Sequence, residues 1–189
     1  MRLVLLGPPG AGKGTQSAWM IAYLRIPHLS TGDMLRAAAL HDNPTGREVR
    51  RFLEDGRLVP DPIVLDIVDE RLQEADCQQG YLLDGFPRTL PQAEALDAKL
   101  AAEGTPLDAV LELAVDEPRL VERLRKRGRE DDRDEIVPQR LQAYRRQTAP
   151  LMNYYFHRGL LRSIDGNGAT EQVTAQIKRI VDRIGARQE

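Results

Sequence analysis

An α/β fold is predicted by the 189-residue sequence: a three-layer sandwich in which a five-stranded parallel sheet carries helices on both faces. Short apolar runs alternate with longer amphipathic segments from end to end, the pattern of repeated βα units. A glycine-rich turn, Gly7-Pro8-Pro9-Gly10-Ala11-Gly12-Lys13-Gly14-Thr15, joins the first apolar run to the first amphipathic segment. Prolines stand where helices begin, at Pro62, Pro91 and Pro118, and glycines near segment ends, at Gly56, Gly80 and Gly104.

The elements follow in order. Arg2–Leu6 reads as a buried strand, and a helix runs from about Gly12 to Leu24. His28–Ser30 is the second strand, after which Ser30-Thr31-Gly32-Asp33-Met34-Leu35-Arg36 opens a helix on a capping hydroxyl. Asp61-Pro62 reads as an N-cap followed by proline at the first helical position. Strands at Tyr81–Asp84, Val110–Ala114 and Leu161–Asp165 complete the sheet. The chain has no internal repeat or low-complexity linker, so residues 1–189 are expected to form one domain. In such sheets ligands sit beyond the carboxyl ends of the strands, which is where chemistry is expected.

Composition narrows the classes. A 41% hydrophobic content suffices for a core, and a formal charge of −2 argues against nucleic-acid binding through a global basic field. Lysine occurs only at 13, 99, 126 and 178, leaving 23 arginines among 27 basic residues. Arginine grips phosphate oxygens in a planar fork, although a GC-rich genome would enrich it as well. The apolar run ending at Leu6 is too short for a secretory leader, and no stretch reaches membrane-spanning length. A single cysteine, Cys77, excludes an internal disulfide. The expectation is a cytoplasmic protein with neither membrane nor nucleic acid as partner.

The strand ends carry the chemistry. In the glycine-rich turn successive N–H groups can converge on one anion, Lys13 adds a mobile positive charge, and the following helix points its N-terminus at the same place. The turn departs from the general GxxxxGK[ST] form, because Gly14 intervenes and the hydroxyl comes at Thr15. Asp84 ends the third strand, the position of a carboxylate that holds magnesium or its waters. Gly85-Phe86-Pro87-Arg88 is a stiff turn presenting an arginine, with Gln92 one helical turn later. Arg119, Arg123 and Arg127 recur at i, i+4 and i+8, where like charges repel by about 0.2–0.5 kcal/mol per pair, and Arg125, Lys126 and Arg129 crowd the same end. Two neutralising partners fit this row: an anionic ligand, or the local acids Glu122, Glu130, Asp131, Asp132 and Asp134. Acids are expected to pair with the arginines in the empty site and phosphates to replace them in the filled one. Arg140 lies within reach of the same cleft. Trp19 and the Tyr154-Tyr155-Phe156 cluster read as core.

The turn Gly7–Thr15, Leu29-Ser30-Thr31-Gly32-Asp33, Leu58-Val59-Pro60-Asp61, Leu83-Asp84-Gly85-Phe86-Pro87-Arg88 and the arginine segment through Arg140, in this order and spacing, resemble the adenylate kinase family over nearly the whole chain. That family's loop ends Gly-Lys-Gly-Thr, which accounts for Gly14-Thr15. The resemblance implies a P-loop NTPase-like sandwich and reversible, Mg2+-dependent phosphoryl transfer from ATP to AMP. It also implies two ADP as products and a monomeric enzyme that maintains adenine nucleotide balance. Two mobile parts are implied, an AMP-binding segment at 30–59 and a short lid at 126–132. Gly10, Ala11, Gly12, Lys13, Gly14 and Thr15 would hold ATP phosphates with Arg123 and Arg127, and Gly166 would meet the donor adenine. Thr31, Arg36, Arg57, Leu58, Val59, Gly85, Phe86, Pro87, Arg88 and Gln92, with Arg129 and Arg140, would bind AMP. Lys13, Arg88, Arg123, Arg129 and Arg140 would be catalytic, and Asp84 would hold Mg2+ through metal-bound water. Only Gly128 separates Arg127 from Arg129, which matches the short-lid form without structural zinc.

A nucleoside monophosphate is already a charged nucleophile, so transfer to it needs positioning and charge stabilisation rather than a general base. The nearest rival is a UMP/CMP kinase, in which the positions of Thr31 and Gln92 tend to be Ala and Asn. A GTPase-like switch would carry an Asn-Lys-x-Asp motif, which is missing here. A non-enzymatic nucleotide sensor would show gaps among Lys13, Arg88, Arg123 and Arg129, all of which are present.

Overall fold

The computed structural model describes residues 1–128 and 132–186. Strands β1 (Arg2–Leu6), β2 (His28–Ser30), β3 (Tyr81–Asp84), β4 (Ala109–Ala114) and β5 (Leu161–Asp165) form one parallel sheet in the order β2-β3-β1-β4-β5. Four of the five match the expected bounds, and β4 begins one residue early, at Ala109. The helices are α1 (Lys13–Leu24), α2 (Thr31–Ala39), α3 (Pro44–Glu54), α4 (Asp61–Leu72), α5 (Leu90–Ala102), α6 (Glu117–Arg127), α7 (Val137–Ala143), α8 (Pro150–His157) and α9 (Thr170–Gly185).

Strand side chains alternate between faces, so β1, β3, β4 and β5 supply two cores and the short β2 supplies one. Val4, Leu6, Leu29, Leu83 and Val110 pack against α2, α3, α4, α5 and α8. Leu3, Leu5, Leu82, Leu111 and Ile164 pack against α1, α6, α7 and α9. Each such aliphatic side chain, withdrawn from water, contributes about 1.5–3 kcal/mol before entropy is subtracted. This double burial explains why β1 and β3 are apolar at successive positions. The chain adds β3 and β2 on one side of β1 and β4 and β5 on the other, so the crevice expected at the switch point lies at the carboxyl end of β1.

Two local features differ from expectation, and a third was not foreseen. Asp61 does not cap α4: Pro60 holds the cap position, and the Asp61 carboxylate turns away to the segment after β3. Phe156 is exposed, whereas its neighbour Tyr155 is fully buried. Between α7 and α8 the chain makes a π-helical turn, Tyr144–Thr148, in which the Ala149 N–H donates to the Tyr144 carbonyl five residues back, at 2.9 Å. Pro150, which lacks an N–H, stands at the point where an unbroken α-ladder would need its next donor. Among the described residues no helix is long and apolar enough to cross a membrane.

Candidate active site

Residues from the segments following all five strands line one cavity of about 910 Å3. At its base the turn after β1 rests directly on α6. Gly10 has φ +83°, and a Cβ there would lie 2.9 Å from the Leu120 carbonyl oxygen and 3.0 Å from Leu124 Cγ. Gly12, in the left-handed region at φ 96°, is the N-cap of α1 and supplies no side-chain cap. The first turn of α1 also holds no acid, so its orphan N–H groups and positive end are left facing the cavity. A Cβ on Gly14 would meet nothing within 4 Å, so protein packing does not explain that glycine. Lys13 Nζ donates to the carbonyls of Gly7 (2.8 Å) and Pro8 (3.1 Å). Burial foremost, with Arg88, Arg140 and Arg127 adding to it and Asp84 opposing, pushes the Lys13 ammonium down to about 8.

Asp84 stands at the tip of β3 beside β1, with its Oδ2 accepting from Ser17 Oγ at 3.0 Å and from His28 Nε2 at 3.1 Å. Burial works to raise this carboxyl, but the His28 hydrogen bond and the charge of Lys13 outweigh it and hold the group below the usual carboxylate range. Its Oδ1 accepts no hydrogen bond among the described residues. Ser17 and His28 were not anticipated from the sequence. Ser17 lies one helical turn beyond Lys13, a usable signal, whereas nothing local links His28 to a residue 56 positions away. Among the described residues no three His, Cys, Asp or Glu side chains gather into a metal cage. One oriented carboxylate beside a phosphate loop fits Mg2+, which takes one or two carboxylates and completes its shell with phosphates and water.

Opposite the turn, Arg88 is fixed at three points. Its Nε donates to the Gly85 carbonyl (2.6 Å), its N–H to Gln92 Oε1 (2.7 Å), and its carbonyl accepts from Thr148 Oγ1 (2.9 Å). Thr31 Oγ1 donates to the Gly85 carbonyl at 3.0 Å. A second, small cavity, about 20 Å3, is lined by Thr31, Leu58, Val59, Gln92 and neighbours, and shares Arg57, Leu58, Gly85 and Arg88 with the large one. Arg36 lines the large cavity and pairs with Asp33 at 2.5 Å. Phe86 and Pro87, expected at the ligand, are buried behind the turn and line neither cavity.

The arginine row on α6 faces three different partners. Arg119 donates to the Asn167 carbonyl. Arg123 donates to the carbonyls of Ala11 (3.4 Å) and Gly166 (3.0 Å), spanning the turn and the loop after β5. Arg127 grips Asp132 with two hydrogen bonds of 2.6 Å, and Arg140, from α7, donates to the same carboxylate at 2.8 Å. The Asp132 side chain is wholly inaccessible to solvent. Of the acids expected to neutralise the row, Glu122 pairs with Lys126 and Asp134 with Arg125 at the surface. Arg129, Glu130 and Asp131 lie outside the described residues, so the segment 126–132 is seen only in part.

Residues 5–160 match the family described as Adenylate kinase. The chain belongs to the adenylate kinase family. It is 52% identical to an adenylate kinase of Methylorubrum populi, the match covering 96% of each chain. It is 49% identical to one of Cyanothece sp., over 97% of this chain and 96% of the other. A third adenylate kinase, from Nitrobacter winogradskyi, is 48% identical over 98% and 95%. Like other adenylate kinases the protein is an enzyme of nucleotide phosphoryl transfer.

Proposed function

We propose that the protein catalyses reversible, Mg2+-dependent transfer of a phosphoryl group from ATP to AMP, giving two ADP, as a cytoplasmic monomer. The observation that carries this reading is that one cavity holds a phosphate loop and, facing it, the separately anchored Arg88 and Arg140. That is an arrangement for two phosphorylated ligands. The N–H groups from Gly10 to Thr15 and Lys13 would hold the donor phosphates, with Arg123 and Arg127 over them and the donor adenine near Gly166. Arg88, Arg36 and Arg140 would hold the AMP phosphate, and Thr31, Arg57, Leu58, Val59 and Gln92 would surround its base. The cavity beside Gln92 is far below the ~300 Å3 at which ligand pockets begin, so the segment 30–59 must draw back to admit a purine.

Mg2+, held at Asp84 Oδ1 through water, would neutralise charge on the donor phosphates. The other contributions belong to side chains. Lys13 would leave the Gly7 and Pro8 carbonyls and follow the transferred group. Arg127 and Arg140 would exchange Asp132 for phosphate, moving the carboxylate aside as the lid at 126–132 closes and excludes water. Arg129 would join them. No side chain is needed as a general base, because the AMP phosphate is already an anionic nucleophile.

A coupled assay with MgATP against AMP, CMP, UMP and GMP tests the reading. ADP formation is expected with AMP, and CMP or UMP used equally well would transfer the protein to the UMP/CMP branch. Absence of AMP-dependent ADP formation would defeat the proposal. In the same assay Arg127→Ala is expected to weaken nucleotide binding and turnover together, and an unchanged variant would remove Arg127 from the clamp.

A further inference from the structure

Asp61 belongs to no part of the machinery above, yet both its carboxylate oxygens are engaged. Thr89 Oγ1 donates to Oδ2 at 2.8 Å, and Gln92 Nε2 donates to Oδ1 at 2.7 Å. The Thr89 hydroxyl oxygen itself accepts the Gln92 N–H at 3.3 Å, so its own proton is directed at Asp61. At the other end of the Gln92 amide the Arg88 N–H, which can only donate, meets Oε1 at 2.7 Å. Gln92 is 1% exposed.

A glutamine amide is nearly symmetric in shape, and only its partners decide which end is oxygen. Here the partners leave one answer. Turning the amide over would set Nε2 against the Arg88 donor and Oε1 against a carboxylate acceptor, a double mismatch where water cannot help. With one N–H given to Asp61 and one lone pair to Arg88, the amide retains one donor and one acceptor in fixed order. A 6-amino purine presents the complementary pair, an amino donor beside the N1 acceptor. A 6-oxo purine presents the reverse, an O6 acceptor beside an N1–H donor, and would require the flipped amide.

We propose that Asp61 is a positioning residue for base choice: by locking the Gln92 amide it makes the acceptor site accept 6-amino and reject 6-oxo purine monophosphates. This rests on the reading of Gln92 as part of the AMP site. Specificity would thus reside partly in a residue that touches no substrate.

The test is steady-state kinetics of the full chain with saturating MgATP, comparing AMP with IMP, the latter also measured as an inhibitor of AMP turnover. Asn at position 61 keeps the volume and can bond either orientation of the amide. Asp61→Asn is expected to lower the AMP-over-IMP ratio of kcat/KM at least tenfold, through a higher KM for AMP and tighter IMP binding, with kcat for AMP within threefold. Asp61→Glu, which keeps an acceptor-only group, is expected to restore most of the ratio. Thr89→Ala, which frees one carboxylate oxygen, should move the ratio the same way by a smaller factor and reports even where Asp61→Asn folds poorly. A ratio unchanged in Asp61→Asn and Thr89→Ala, with both substrates losing activity in parallel, would show a merely structural Asp61 and overturn the inference alone. A wild-type enzyme that forms no ADP from AMP would overturn the proposed function, and this inference with it.

Discussion

Lys13 holds its proton against its surroundings. Burial and three nearby arginines lower it from 10.5 to about 8, while an incoming polyphosphate favours the charged form. At pH 9 the free protein therefore has Lys13 largely neutral, and ATP binding should take up a proton. Calorimetry in two buffers of different ionisation enthalpy is expected to detect that uptake at pH 9 and little at pH 7, with affinity falling by up to about tenfold per pH unit above 8. Buffer-independent heats at pH 9 would contradict this. The sign for stability is opposite: between about 8 and 10.5 the unfolded chain binds more protons at this residue, so the ligand-free fold gains stability as pH rises through that window. Lys13 and Asp84 were legible in the sequence because a loop motif and a strand end mark their places. The residues that support the site were not. Ser17 and His28 meet Asp84, and Asp61 meets Gln92, only once the sheet and the packed helices bring them together, and Asp61 beside Pro62 looks like ordinary helix punctuation.

Among the elements, the π-helical turn Tyr144–Thr148 has the clearest mechanical role. It places Thr148, 5% exposed, where its hydroxyl reaches the Arg88 carbonyl, on the same helical run that carries Arg140. Arg88 and Arg140, two of the arginines proposed for the AMP phosphate, thereby share one support although they come from distant parts of the chain. Thr148→Val leaves the Arg88 carbonyl without this donor, a loss of about 1–3 kcal/mol in a buried setting. The expected outcome is a roughly tenfold fall in kcat/KM for AMP, near the lower end of that range, with KM for ATP little changed and recovery in Thr148→Ser. Equal losses for both nucleotides would argue against it. β1 and β3 were readable to the residue, because burial on both faces demands apolar runs bounded by polar or glycine residues, whereas β2 and β5, with polar residues inside them, were placed by the alternation of βα units. The π turn left only Pro150 as a trace, and a proline there equally marks a plain helix start.

At the scale of the whole molecule, charge is divided unevenly. The described residues lining the large cavity include eight Lys and Arg side chains, from Lys13 to Arg140, and two acids, Asp33 and Asp84, on a chain of formal charge −2. The remaining surface is therefore net acidic, and anions are drawn to one opening. Raising ionic strength from about 20 to 200 mM shortens the Debye length from roughly 20 to 7 Å, which is expected to lower kcat/KM for both nucleotides severalfold. Stopped-flow association rates would check this, and salt-independent rates would refute it. The same surplus of positive charge also governs departure. Every ADP formed leaves against the field that drew its precursor in, so each turnover includes a wait set by that attraction. Salt that slows capture should shorten this dwell, and where product escape limits the cycle, kcat is expected to rise over the range in which kcat/KM falls.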